Sequence, residues 1–200
     1  MPGLDGATPL EELRAFAEAC TACALYEHAT QTVFGEGPPD ASLMLMGEQP
    51  GDQEDRQGHP FVGPAGGVLD RALDQAAIDR GSVYLTNAVK HFKWEPRGKV
   101  RLHKKPNVSE MAACRQWWEA ELEAVRPKVL GCLGATAAQA VFGADFRVTK
   151  QRGQWFELPS GVAAIATIHP SAVLRAEDEL RDEFFDGLVR DLALMATRLD

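Results

Sequence analysis

No apolar run in this chain of 200 residues approaches the roughly 20 residues a helix needs to cross a bilayer, so the sequence offers no membrane span. The opening stretch, MPGLDGATPLEEL, lacks a basic segment followed by an apolar core, and a secretory signal is not expected. Cysteine is scarce, with four in all. In the reducing cytoplasm that is the expected compartment, those four are not expected to form structural disulfides. Positive charge is also short: 21 Lys and Arg stand against 29 Asp and Glu, a formal charge of −8. Such a balance excludes a molecule-wide basic face of the kind that wraps a polyanion. Internal repeats, low-complexity tracts and an interdomain linker are absent, which leaves a single domain over residues 1–200, expected to be monomeric.

What the chain does have is 45% apolar residues, enough to bury a real core at this length. It also has one conspicuous basic window. Between Lys90 and Lys105 lie seven Lys or Arg and one acid, Glu95, and within it RGKVRLHKKP surrounds a lone histidine, His103. Taken alone such a run is an ordinary solvated loop; its charge is nevertheless local enough to attract phosphates. Residues 91–108 show no periodicity and read as a long loop, a feature that in a compact domain is usually functional or disordered.

Short apolar runs alternate with helical patterns. SLMLMG (42–47), VYLTN (83–87), KVLGCLG (128–134) and VAAIATIHP (162–170) read as buried strands. Thr8-Pro-Leu-Glu11 reads as a helix start, with Thr8 as N-cap, opening a helix over about 9–20. Val68, Leu69, Ala72, Leu73 and Ala76 recur at helical spacing. Asn107-Val-Ser-Glu110 caps a helix that runs to about Val125 before Pro127, and residues 135–142 form another. Leu180, Phe184, Leu188 and Leu192 make the last helix amphipathic. The alternation predicts an α/β fold, a three-layer α/β/α sandwich on a mainly parallel four-stranded sheet. Ligands of such sheets bind beyond the carboxyl ends of the strands, where GEQPGD, Thr86-Asn87 and His169-Pro170-Ser171 converge.

The cysteines are spaced Cys20-Thr-Ala-Cys23, then Cys114 and Cys132. Four thiolates suit a closed zinc site or a [4Fe–4S] cluster, and buried free thiols are the ordinary alternative. Spacing alone does not choose among these.

Gly47-Glu-Gln-Pro-Gly51, Pro60-Phe-Val-Gly-Pro-Ala-Gly66, Leu85-Thr-Asn87 and His169-Pro-Ser171, together with the four cysteines, resemble the iron–sulfur branch of the uracil-DNA glycosylase superfamily. The likeness runs from about Cys20 to the last helix. GEQPG and the inserted loop are similar to the UdgX type, whose Lys-Arg-Arg-Ile-His signature is matched by Lys99-Val-Arg-Leu-His103, with Val100 in place of an arginine. The resemblance implies uracil-containing DNA as substrate, with single strands preferred. It implies a structural [4Fe–4S] cluster on Cys20, Cys23, Cys114 and Cys132. It also implies Glu48, His103 and His169 as catalytic residues, Gly47, Gln49, Asp52, Phe61, Asn87 and Ser171 around the substrate, and Lys90, Lys99 and Arg101 on DNA. The UdgX type becomes covalently attached to DNA through the loop histidine, whereas most of the superfamily releases free uracil and turns over.

These residue types suit that chemistry. Phe61 can stack on the extruded base. The Asn87 amide offers a donor and an acceptor that match uracil O4 and N3–H and mismatch cytosine. Breaking the glycosidic bond puts negative charge on uracil O2, where the His169 ring N–H can donate, and leaves a sugar cation beside which Glu48 can stand. His103, with an ordinary pKa of about 6.5 expected to be depressed by Arg101, Lys104 and Lys105, can then attack as a neutral imidazole. Each residue has a commoner role: a core Phe61, a turn-capping Asn87, a surface Glu48, an exposed His103. An iron–sulfur module that binds nucleic acid without chemistry is the reading from another class.

Overall fold

A computed structural model describes residues 9–199. The Thr8 cap lies outside the described residues; Pro9 occupies the N-cap position of helix α1, Leu10–Glu18, which ends short of the expected residue 20. The remaining elements run β1 (Leu43–Gly47), α2 (Asp52–Gln57), α3 (Pro64–Gln75), β2 (Val83–Asn87), β3 (Trp94–Arg97), β4 (Val100–His103) and α4 (Val108–Val125). There follow β5 (Val129–Leu133), α5 (Ala135–Phe142), α6 (Val148–Gln151), β6 (Trp155–Glu157), β7 (Ala163–Thr167), α7 (Pro170–Arg175) and α8 (Asp178–Ala196).

The central sheet has the order β2-β1-β5-β7-β6. It is α/β and mainly parallel as expected, but it has five strands and not four. The extra strand, β6, pairs antiparallel with β7 at the edge. Three residues long and only partly buried, it carries too few positions to show any alternation in sequence.

Strand parity builds the two faces. Leu43, Leu45, Val83, Leu85, Val129, Leu133 and Ile165 pack with Leu69 and Leu73 of α3 and Leu188 and Leu192 of α8. Their neighbours Met44, Met46, Tyr84, Leu130, Cys132, Ala164 and Ala166 pack with Trp118 of α4 and Ala137 and Ala138 of α5. A period of two sends adjacent side chains to opposite layers, so strands buried on both faces read as continuous apolar runs. Asn107 accepts from the Glu110 backbone N–H while the Glu110 carboxylate accepts from that of Asn107, the reciprocal cap read from the sequence.

Residues 91–108 do not form a featureless loop. Trp94–Arg97 and Val100–His103 pair antiparallel as a hairpin that sets Trp94 opposite His103. Gly98 supplies the positive φ, 62°, that its two-residue turn requires. Local pattern missed it because Pro96 interrupts one strand and the apolar residues of the other, Val100 and Leu102, face solvent. Side chains elsewhere in the fold hold it. Gln49 accepts from the Lys93 backbone N–H at 3.2 Å and donates to the carbonyls of Lys93 and Lys104, both at 3.1 Å. Arg101 donates to Asp52 at 2.5 Å, to the fully buried Asp55 at 2.6 Å and to Thr30 at 3.2 Å. The Trp94 indole donates to the His28 carbonyl at 2.9 Å.

Candidate active site

The parallel strands end on one edge, and there β1 and β2 place Gly47 and Asn87 in register. A Cβ on Gly47 would lie 2.5 Å from the Asn87 side-chain oxygen and 2.7 Å from the Phe61 ring, so glycine keeps open the gap between an aromatic ring and an amide. Phe61 is buried and holds φ at 56°, a conformation rare for a bulky residue and of the sort found at ligand sites. The carboxylate of Glu54 fixes the two loops that flank this gap, accepting from Gly51 N–H at 3.1 Å and Gly63 N–H at 2.8 Å.

The Phe61 and His169 rings stack at 6.3 Å with 27° between planes. His169 Nδ1 accepts from the Ser171 backbone N–H at 3.1 Å, and the Ser171 hydroxyl lies 2.7 Å away. With Nδ1 used as acceptor, the neutral ring carries its proton on Nε2. Burial drives the His169 pKa down to about 4, with the positive charges of Arg175 and His103 adding to the effect. The ring is thus a neutral N–H donor at pH 7. Ser171, expected against substrate, instead fixes this tautomer, and Arg175 donates to its hydroxyl at 2.9 Å.

Glu48 is held by two neighbours. The Thr136 hydroxyl at the start of α5 donates to one oxygen, and His103 Nε2 lies 3.3 Å from the other. Burial lowers the His103 pKa below its ordinary value; Arg175 lowers it further and Glu48 opposes the shift. This corrects the electrostatic expectation, because the flanking cations are occupied elsewhere: Arg101 by Asp52 and Asp55, and Lys104 by Glu95 at 2.8 Å.

Other expectations are also revised. Asp52 pairs with Arg56 and Arg101, and that pairing keeps its carboxyl below the usual range. Gln49 is spent on the hairpin. Lys90 cannot meet DNA, since its side chain is fully buried on Glu121 at 2.6 Å. Arg101 is an anchor of the hairpin, which leaves Lys99, exposed at the hairpin tip, as the remaining candidate phosphate contact among the three.

The cysteines do not gather as one set of four. Cys20, Cys23 and Cys114 share an apolar cluster with Trp117, whose indole donates to Cys20 Sγ at 3.2 Å. Burial pushes the Cys114 thiol up to about 12, and neighbouring Cys20 and Cys23 add to that shift. Cys132 belongs to the other cluster, with Met46 and Ala137, and burial alone raises its thiol. Among the described residues no group of three or more His, Cys, Asp or Glu is arranged to hold a metal ion. With Cys132 packed apart, the four-cysteine site does not fit this arrangement, although three of its members are neighbours. Cys132 faces the same α4–α5 layer that carries Cys114, but it packs with Met46 and Ala137 and not with the CxxC segment.

Thr136, Glu54, Arg175 and Glu121 were not legible as site residues. Only Glu54, three positions after the Gly51 that it caps, follows a recognisable capping spacing.

An aromatic ring, an amide, a neutral imidazole donor and a carboxylate thus lie together at the carboxyl ends of the strands, groups whose chemistry suits a planar, hydrogen-bonding ring. The model of the uracil DNA glycosylase superfamily matches residues 34–193, and the chain belongs to that superfamily. It is 40% identical to a type-4 uracil-DNA glycosylase of Thermotoga maritima over 164 residues, 81% of this chain and 82% of that protein. It is 35% identical to a type-4 enzyme of Archaeoglobus fulgidus, with 83% of each covered, and 31% identical to a type-5 uracil-DNA glycosylase of Thermus thermophilus, with 76% and 75% covered.

The hairpin anchors carry a first prediction. Arg101→Ala removes the contacts to Asp52, Asp55 and Thr30 while leaving Phe61, Asn87 and His169 untouched. If His103 acts on DNA as the proposal below has it, that step is expected to slow by about ten-fold or more, as happens when a reacting group is misplaced, with base release changed less. Single-turnover rates measured for both events would show it; equal slowing of both contradicts the separation.

Proposed function

We propose that the chain excises uracil from DNA and that His103 then bonds to C1′ of the abasic sugar, as in the UdgX type. What supports this reading is chiefly one observation: His103 Nε2 and Glu48 Oε1 lie 3.3 Å apart beside the gap between Phe61 and Asn87. In this reading an extruded uracil stacks on Phe61, and Asn87 pairs with O4 and N3–H. The glycosidic bond breaks with its electron pair moving to uracil, and His169 Nε2–H donates to O2. The Glu48 carboxylate lowers the energy of the sugar cation, a charge effect strengthened where water is excluded. His103, whose Nε2–H faces Glu48 at rest, reacts after that proton has passed to Nδ1 by way of solvent, and the freed Nε2 lone pair forms the new C–N bond. The resulting imidazolium gives its Nδ1 proton to solvent, leaving an N-glycosyl imidazole with a poor leaving group.

The comparisons favour a second reading more directly. The relatives are named type-4 or type-5 uracil-DNA glycosylases, and nothing in those names denotes an adduct. On that reading, water takes the place of His103 and free abasic DNA leaves. A denaturing gel with uracil-containing single-stranded DNA separates the two. A shifted band that survives heat and detergent supports capture; released abasic DNA with unshifted protein supports turnover.

The lowered His103 pKa fixes the sign of a pH effect. Its nucleophilic form is the neutral ring, present above the pKa, so a depressed value extends the active range toward acid. Initial rates of adduct formation are expected to fall toward acid with a midpoint below about 6.5, the ordinary imidazole value. A midpoint at or above pH 6.5 contradicts the environment described.

A further inference from the structure

Behind the base pocket lies a charged network that the chemistry above does not use. Lys90 Nζ donates to Glu121 at 2.6 Å, to the Thr86 hydroxyl at 2.5 Å and to the main-chain carbonyl of Asn87 at 2.9 Å. Glu121 is equally committed. One oxygen also accepts from the Thr86 hydroxyl at 2.7 Å; the other accepts from Gly35 N–H at 2.8 Å and lies 3.3 Å from the Tyr84 hydroxyl. Both side chains are essentially inaccessible to solvent. All three ammonium protons are thus placed, and one of them is spent on the residue whose amide borders the gap at Gly47.

A buried ion pair is poor evidence of a stabilising role, because an apolar pair of similar volume often does as well or better. Its position here is more informative. The peptide that follows Asn87 is held on both sides: Ala88 N–H donates to the Gly47 carbonyl at 2.9 Å, and the Asn87 carbonyl accepts from Lys90. Val89 N–H donates to the Glu48 carbonyl at 3.0 Å, which ties the same turn to the catalytic loop. An amide that distinguishes uracil from cytosine must keep its donor and acceptor in fixed places. A main chain clamped from both sides supplies that fixity.

We propose that Lys90 and Glu121 are positioning residues that hold the Asn87 main chain so that its side chain reads the base, and thereby set selectivity for uracil. This rests on the assignment of Asn87 as the base-reading residue. Neither charge touches the substrate; both act through Asn87.

The test uses the full chain with the pair replaced together, Lys90→Met with Glu121→Leu, which avoids stranding one buried charge. Thr86→Val is the second variant, removing only the hydroxyl that bridges the pair. Rates of base release from single-stranded oligonucleotides carrying uracil or cytosine at one position are compared, with Asn87→Ala in parallel. The paired replacement is expected to lower the saturating single-turnover rate of base release from uracil by about ten-fold, to leave the half-saturating protein concentration within about two-fold, and to reduce the uracil-to-cytosine ratio. Thr86→Val should shift the same quantities in the same direction by less. Combining the paired replacement with Asn87→Ala should add little to Asn87→Ala alone, as expected for groups acting in series. A folded paired variant with wild-type selectivity overturns the proposal; if that variant does not fold, an unchanged single-turnover rate and selectivity in Thr86→Val do so. Should Asn87→Ala itself retain uracil selectivity, the base-reading assignment falls and this inference with it. Lost selectivity in Asn87→Ala beside intact selectivity in the pair variants removes the inference alone.

Discussion

His103→Ala is expected to abolish the denaturation-resistant protein–DNA species while preserving uracil release within about ten-fold. In the proposed mechanism bond breaking depends on groups that this substitution leaves in place: His169 as donor to O2, and Glu48 still held by Thr136. Removal of the imidazole changes what meets the cation, not how the cation forms. On the capture reading, water then enters the vacated space, and the variant should turn over many substrates where the parent would stop after one. The comparison must be made under single-turnover and excess-substrate conditions, because only the latter reveals recycling. A persistent adduct in His103→Ala would remove this residue from the reaction. The fold should tolerate the change, since the ring is nearly half exposed and the hairpin is anchored by Gln49, Arg101 and Trp94.

Glu48→Gln is expected to depress both outcomes together, since in the proposed mechanism it acts before water and imidazole compete. The amide can still hydrogen-bond to Thr136, so the change isolates charge. A carboxylate about 4 Å from a developing unit cation is worth up to about 4 kcal/mol at an effective dielectric of 20. Base release should therefore slow by about 100-fold or more, with adduct formation falling in parallel. Measured single-turnover rates decide it: full base release in the variant takes Glu48 out of the mechanism, and loss of the adduct alone would reassign it to the capture step.

The sequence revealed the frame better than its anchors. Runs such as LMLMG and VLGCL declare strands buried on both faces, and Asn107 with Glu110 declares a helix start, because those signals are local. The edge strand Trp155–Glu157 and the hairpin about Gly98 were illegible for the opposite reason: their stability comes from partners elsewhere in the chain. Gln49 lies 44 residues before the Lys93 it clamps, and Arg101 lies 46 after Asp55. Glu48, Asn87 and His169 could be nominated from their places at strand ends. The roles of Lys90, Arg101 and Ser171 could not, because charge in a sequence does not say whether a side chain meets solvent, an acid or an imidazole. Lys90 makes the point most sharply, being a basic residue in a basic window that nevertheless lies at the centre of the molecule. Cysteine spacing likewise gave a count of thiols and not their convergence: Cys132 packs in a different cluster from the other three.

The most direct test of covalent capture is peptide mapping by mass spectrometry after reaction with a uracil-containing single-stranded oligonucleotide. The account predicts a protein heavier by the oligonucleotide less uracil, with the added mass on the peptide that contains His103. Unmodified protein beside free abasic oligonucleotide, or added mass on any other residue, would contradict it.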